Sequence, residues 1–216
     1  MNPITERPLQ YPWFLKKNWL QGSAFEGTIR TRDGDRVVVL PEELLQGLHR
    51  AIAFETGAAL PIIAYTCGRR WGARMVRRWD AQWREHYQER MEQTEFDMFQ
   101  AWLIQSFRFQ GWGELSWDFS MEQQGVLHFE VRNCVLSRLL ADLEEPMVAD
   151  IFAGVFAALS SWVVGRELEC AQIACEKSGA PACRFVVATP ERIEKVRNAR
   201  LEGATTEQMM SRLMEE

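Results

Sequence analysis

The segment PMVADIFAGVFAALSSWVVG, residues 146–165, is apolar on nearly every face of the helix its spacing predicts, with Pro146 to open it and Gly165 to end it. Such a helix has no side to offer water, so the rest of the chain must surround it. The next two segments can supply part of that cover. RELECAQIACEK and APACRFVVAT read as two strands joined by a turn at Gly179 and Pro181.

The same punctuation continues upstream. Asp33-Gly34 lies between two β-rich runs and predicts a hairpin, because that turn needs positive φ. Pro41 opens an amphipathic helix bearing Leu44, Leu45, Leu48 and Ile52, which Gly57 closes. From Ala58 to about Arg108 the spacing stays helical, first through Tyr65, Trp71, Met75, Trp79 and Trp83, then through Phe96, Phe99, Leu103 and Phe107. GELSWDFS and GVLHFEVRN alternate as antiparallel strands, VLSRLLADL is a short helix, and Thr189-Pro190 and Thr205 start two polar helices. This order predicts an α+β fold, an antiparallel sheet with helices packed on one face. Residues 1–24 read as an aromatic N-terminal arm, 25–188 as one domain and 189–216 as a C-terminal helical extension.

Composition narrows the function. A net charge of -5 over 216 residues argues against a nucleic-acid surface, which needs a clustered basic excess. No window approaches eighteen uninterrupted apolar residues, and the polar start lacks the order of a signal peptide, so a cytoplasmic protein without a transmembrane segment is expected. Five cysteines form an odd, sparse set that suits reduced thiols or metal ligands better than a disulfide framework. Nine tryptophans are many for this length, and large aromatics either fill cores or line pockets for flat apolar ligands.

The sharpest local feature is CEKSGAPACRF, where Cys175 and Cys183 flank the turn. Thiolates are soft zinc ligands, but a structural zinc takes four donors, and these two supply half. Cys170 and Asp150 are the further candidates, and the competing reading makes the cysteines small buried hydrophobes. Strict alternation puts Cys175 on the face of Glu169 and Ile173, with Cys170 and Gln172 opposite, unless a bulge intervenes. His49, His86 and His128 show no paired metal-ligand spacing. Neither a dinucleotide fingerprint nor a nucleophile elbow is present, which argues against a self-contained nicotinamide-dependent reductase.

Cys175-x3-Gly179-x3-Cys183-x-Phe185, following a helix with an internal Gly154 and the strand RELECAQIA, resembles the closing signature of the 4-vinyl reductase domain family. The resemblance extends more weakly through EVRNCVLSRLL, ETGAALPIIAYTCGRRWG and VVVLPEELL, covering about residues 25 to 188. It implies a fold shared with sensory domains of phenol-responsive activators, Golgi transport-particle subunits and haem nitric-oxide sensors, with an enclosed apolar pocket and frequent pairing as a homodimer. In the aromatic-sensing branch it implies a zinc held by an upstream Cys, a Glu three positions before the first motif Cys, and both motif cysteines. In this chain Ala149 stands at the upstream position and Gln172 at the Glu position.

The expected function is binding of a small hydrophobic molecule, with a tetrapyrrole or (bacterio)chlorophyll precursor as the particular ligand implied by the resemblance. The chain would then serve as an accessory or carrier in pigment synthesis, or in assembly of a photosynthetic complex, without catalysis of its own. The expected pocket lining is Trp71, Trp79, Trp83, Trp102, Phe107, Trp112 and Trp117, and the expected metal ligands are Cys175, Cys183, Cys170 and Asp150. The alternatives are a vinyl reductase of (bacterio)chlorophyll synthesis, a zinc-containing sensor of aromatic compounds, and an assembly factor without a ligand.

Overall fold

The computed structural model describes residues 19–215. Most of the expected N-terminal arm therefore lies outside the described residues. Its last segment forms strand β1 (Leu20–Ser23), which joins β2 (Thr28–Thr31) and β3 (Arg36–Val37) in a small antiparallel sheet. The hairpin turn falls at Asp33-Gly34 as expected, with Gly34 at φ 89 and its N–H donating to Thr31 O.

Helix α1 (Glu42–Thr56) ends at Gly57, whose φ of 51 permits the break before α2 (Leu60–Tyr87). α3 (Phe96–Phe109), the hairpin β4 (Glu114–Asp118) and β5 (Leu127–Arg132), and the short α4 (Val135–Leu139) follow. The buried helix α5 (Asp150–Val164) leads to β6 (Glu169–Ala174) and β7 (Cys183–Ala188), and α6 (Pro190–Leu201) and α7 (Thr206–Met214) close the described chain. The helix expected from Pro146 begins four residues later. The Gln172 side chain accepts from Ala149 N, and Arg200 donates to Met147 O, so the 146–149 backbone is held in other bonds.

The main sheet has the order β4-β5-β7-β6, antiparallel throughout. On one face lie α2, α3 and α5, with Phe156 of α5 at the centre. Its ring stacks on Phe129 at 4.5 Å and on Phe107 at 5.6 Å and meets Phe185 edge-on at 5.1 Å. The expected helical face is thus present, and the C-terminal helices add cover on the other side, where Ile193, Val196, Met209 and Leu213 pack on Ala171, Ile173 and Val186.

The crossing of α2 and α5 depends on glycine. A Cβ on Gly154 would sit within contact distance of Tyr65 O, 2.5 Å from Arg69 N and 2.9 Å from Gly68 C. The two helix backbones therefore touch, which explains how an all-apolar helix is buried so completely. Together, Glu42–Tyr87 contains an 18-residue window of mean hydropathy 1.3, little of it buried, which the criterion of uninterrupted apolar residues overlooks. Gly57 interrupts this stretch.

Candidate ligand cavity and thiol hairpin

A cavity of about 520 Å³ opens at one end of the sheet, between the start of α3, the end of α5 and the β4–β5 hairpin. Its apolar wall combines Phe96, Trp117, Phe119, Leu127, Val163, Val164, Leu168 and Val187. Phe96, Trp117 and Phe119 form a ring cluster, with centroids 5.3 to 5.7 Å apart. The hairpin is what brings them together. Trp117 pairs with Phe129 in register and so faces the helices, where Phe96 on the first turn of α3 meets it. Asp97, Gln100, Glu122, Ser160 and Arg166 supply the polar lining.

Trp117 contributes the most informative atom. Its Nε1 is buried and has no hydrogen-bond partner among the described residues. An indole N–H is a donor only, and leaving it unmet in a dry site costs on the order of 1–3 kcal/mol. A cavity ligand with an acceptor atom would remove that cost.

The seven expected lining residues divide. Trp117 lines the cavity. Trp79, Trp83, Trp102 and Phe107 are instead core residues: Trp102 packs on Trp79 at 4.4 Å and on Trp83 at 5.6 Å, and Phe107 packs on Phe156. Trp71 and Trp112 meet edge-on at 4.8 Å, away from the cavity lining. Helical periodicity locates the aromatics but not which of their neighbours leave a gap. Phe96, Phe119 and Leu127 escape a sequence reading because each is locally an ordinary apolar position.

At another edge of the sheet Cys175 and Cys183 face each other, Sγ to Sγ 3.8 Å, both buried. Ser137 of α4 hydrogen-bonds to both thiols, at 3.3 and 2.9 Å, and Cys183 also bonds to Cys134. Cys134 and Ser137 escape a sequence reading because they are far from the motif along the chain. The bond to Cys134, with burial, raises the Cys183 thiol to about 11, and the bond to Cys183, with burial, pushes Cys175 higher still. The bond from Cys183 lowers Cys134.

Strict alternation fails at a bulge. The β6–β7 register shifts between Gln172 and Ala174, so Cys175 joins Cys170 on the α5 side while Ile173 packs under the C-terminal helices. The turn is tied to the rest of the domain by its polar residues. Glu176 accepts from the N–H groups of Asn133 and Cys134 at 2.7 and 2.8 Å, Lys177 donates to Leu143 O and Glu145 O, and Ser178 donates to Pro146 O.

The four expected metal ligands do not converge. Cys170 lies five residues from Cys175 along the strand, roughly 16 Å at ~3.3 Å per residue. Asp150 is held by Arg200 through two hydrogen bonds of 2.7 and 3.0 Å. The positions where the resemblance puts the remaining zinc ligands bond to each other instead: Gln172 Oε1 accepts from Ala149 N at 2.9 Å, and Gln172 Nε2 donates to Ala174 O at 3.0 Å. Among the described residues no group of three His, Cys, Asp or Glu is arranged to hold a metal ion. This donor set does not fit the family's zinc.

The fold and the cavity define a class: an antiparallel sheet backed by helices, with an apolar pocket at the sheet end. The particular family follows from the sequence of its second half. Residues 127–189, β5 through β7, match the model of the 4-vinyl reductase domain, and the chain carries a domain of that family there. Among solved structures, the phenol-responsive sensory domain of the transcription activator PoxR, with phenol, superposes with TM-score 0.62 at 16% identity over 92% of each chain. Trafficking protein particle complex subunit 3 from Naegleria fowleri, covalently bound to palmitic acid, gives 0.49 at 15% identity over 68% of this chain and 93% of that one. A vinyl-4-reductase family protein from Methanocaldococcus jannaschii gives 0.46 at 15% identity over 70% and 82%. No curated protein matches the chain.

Proposed function

We propose that the chain binds a small aromatic molecule bearing a hydrogen-bond acceptor, in the cavity between α3, α5 and the β4–β5 hairpin. The observation that carries this reading is the unmet Trp117 Nε1, buried in a wall that also holds Phe96 and Phe119. The volume of about 520 Å³ falls within the ordinary range of small-molecule sites. The fold likeness to a phenol-responsive sensory domain supports the same class. The bound ring would stack in the aromatic cluster, its acceptor would take the indole N–H, and Gln100 and Ser160 would select among substituents.

Within that class, the ligand implied by the resemblance is a tetrapyrrole or (bacterio)chlorophyll precursor, held for a pigment-synthesis enzyme or for photosynthetic assembly. One preparation tests both levels. Calorimetric titration with phenol, methylphenols and a soluble porphyrin is expected to give saturable binding by at least one, and Val164→Trp, which fills the cavity from its exposed edge, is expected to abolish it. A pigment band in the spectrum of the native protein would select the tetrapyrrole. Folded protein that binds none of these ligands would refute the proposal.

A further inference from the structure

Helix α1 has no buried residue along its fifteen positions. One side is seated on its own chain: Leu45 packs against the main core, Arg50 pairs with Asp142 at 2.5 Å, and Glu42 pairs with Arg138. The stripe Leu44, Gly47, Leu48, Ala51 and Ile52 follows the three-and-four spacing that helices use for packing, yet all five residues are exposed. Leu44, Leu48 and Ile52 are 48, 50 and 39% exposed. Val38, Val39 and Leu40, which lead into the helix, and Ile62, beyond its break, are also exposed.

We propose that this stripe is the interface of a homodimer, in which α1 packs antiparallel against α1 of a second copy with Leu48 near the twofold axis. Rotation about that axis sets Leu44 of each copy opposite Ile52 of the other, so one patch serves both sides, as an isologous contact requires. A Cβ on Gly47 would meet nothing within 4 Å, and Ala51 is small, so both leave room beside the large side chains for the partner's leucines. The stripe and its exposed neighbours leave on the order of 600 Å² of apolar surface uncovered, close to the ~800 Å² each partner gives a standard interface. The ion pairs to Arg138 and Asp142 orient the helix before association.

Charge favours a protein partner over a lipid surface. Helices that lie on membranes carry Lys and Arg on their polar face, whereas α1 carries Glu42, Glu43 and Glu55, and its arginine, Arg50, is paired with Asp142. Pairing through α1 would proceed whether or not the cavity holds a ligand.

Light scattering during size exclusion of the full chain tests it. The expected wild-type mass is twice the 25.1 kDa of one chain. Leu44→Glu/Leu48→Glu is expected to run at the single-chain mass with an unchanged far-UV spectrum, whereas Leu201→Glu, at an 85% exposed site on α6, keeps the dimer. If the double Glu variant loses helix signal, Leu44→Ala/Leu48→Ala carries the test, with dimer affinity expected to fall at least tenfold. A monomeric wild type, a dimer indifferent to both stripe variants, or wild-type flotation with neutral or anionic vesicles that Leu44→Glu/Leu48→Glu abolishes would overturn the proposal.

Discussion

Gly154→Ala places one methyl group where the backbones of α2 and α5 touch. The added Cβ would fall within contact distance of Tyr65 O, 2.5 Å from Arg69 N and 2.9 Å from Gly68 C, whereas ordinary contact begins near 3.4 Å. These neighbours are backbone atoms of one helix, so none can swing aside, and the helices must part by about 1 Å. Overpacking of a tight core costs about 1–3 kcal/mol or more, and parting the helices also forfeits contacts around Phe156 and Met75. The better helix propensity of alanine returns up to about 1 kcal/mol. The net expectation is a loss of about 2–4 kcal/mol, which for a chain of this size lowers Tm by roughly 5–15 °C. Thermal unfolding followed by circular dichroism measures it. Gly68→Ala obstructs the same crossing from the other side, so the double variant should lose less than the sum of the two singles. An unchanged or higher Tm for Gly154→Ala would refute the reasoning, since alanine would then fit a space the contact distances deny it.

Trp117→Phe keeps an aromatic wall but removes the donor; affinity for an acceptor-bearing aromatic should fall about tenfold by calorimetry, and equal affinity would remove the indole from ligand recognition. Gln172→Glu sets a carboxylate against Ala174 O in a fully buried site, so stability in urea should fall at pH 7 and recover as pH drops through the raised pKa of the new acid. A result independent of pH would show that the side chain escapes the site. The Cys183 thiol, raised to about 11 in the folded state, contributes stability that is present below the usual thiol value near 8.5 and lost as pH climbs through 11. Cys183→Ser should therefore flatten the alkaline side of the Tm profile, and an unchanged slope would count against that assignment. Because the hairpin is tied by Glu176, Lys177 and Ser178, chelator should leave the wild-type Tm unaltered, and a chelator-sensitive fall would restore a metal to this site.

Periodicity and punctuation make most elements legible. Asp33-Gly34, Gly57, Thr189-Pro190 and Thr205 each mark a boundary found in the structure, because turns and caps are decided by neighbours a few residues away. The start of α5 departs from its local signal for the complementary reason. Pro146 is a good local opener, but Gln172 and Arg200, both distant along the chain, hold residues 147 and 149 out of the helix.

The candidate site is legible only where chemistry and spacing coincide. Cys175 and Cys183 stand out as a facing pair because eight residues and a Gly-bearing turn bring them together. Ser137 and Cys134 complete that cluster from more than thirty residues away, with no local signal. The cavity is harder still, since its walls are residues that failed to be covered, a property of three-dimensional packing. Trp117 among the expected aromatics lines it, while Trp79, Trp83 and Trp102 fill the core against one another.

By itself the sequence determined that an all-apolar helix must be wrapped, that paired strands follow it, and that the family signature sits on their turn, since these are consequences of solvation and short-range geometry. Only the tertiary structure decided the rest. The β6 bulge chose the face of Cys175, Arg200 engaged Asp150, and Gln172 bonded to Ala149 where the family's zinc ligands would lie. Three further outcomes, the gap beside Trp117, the touching backbones at Gly154 and the uncovered side of α1, depend on where separate elements come to rest against one another, and no local pattern of residues encodes that placement.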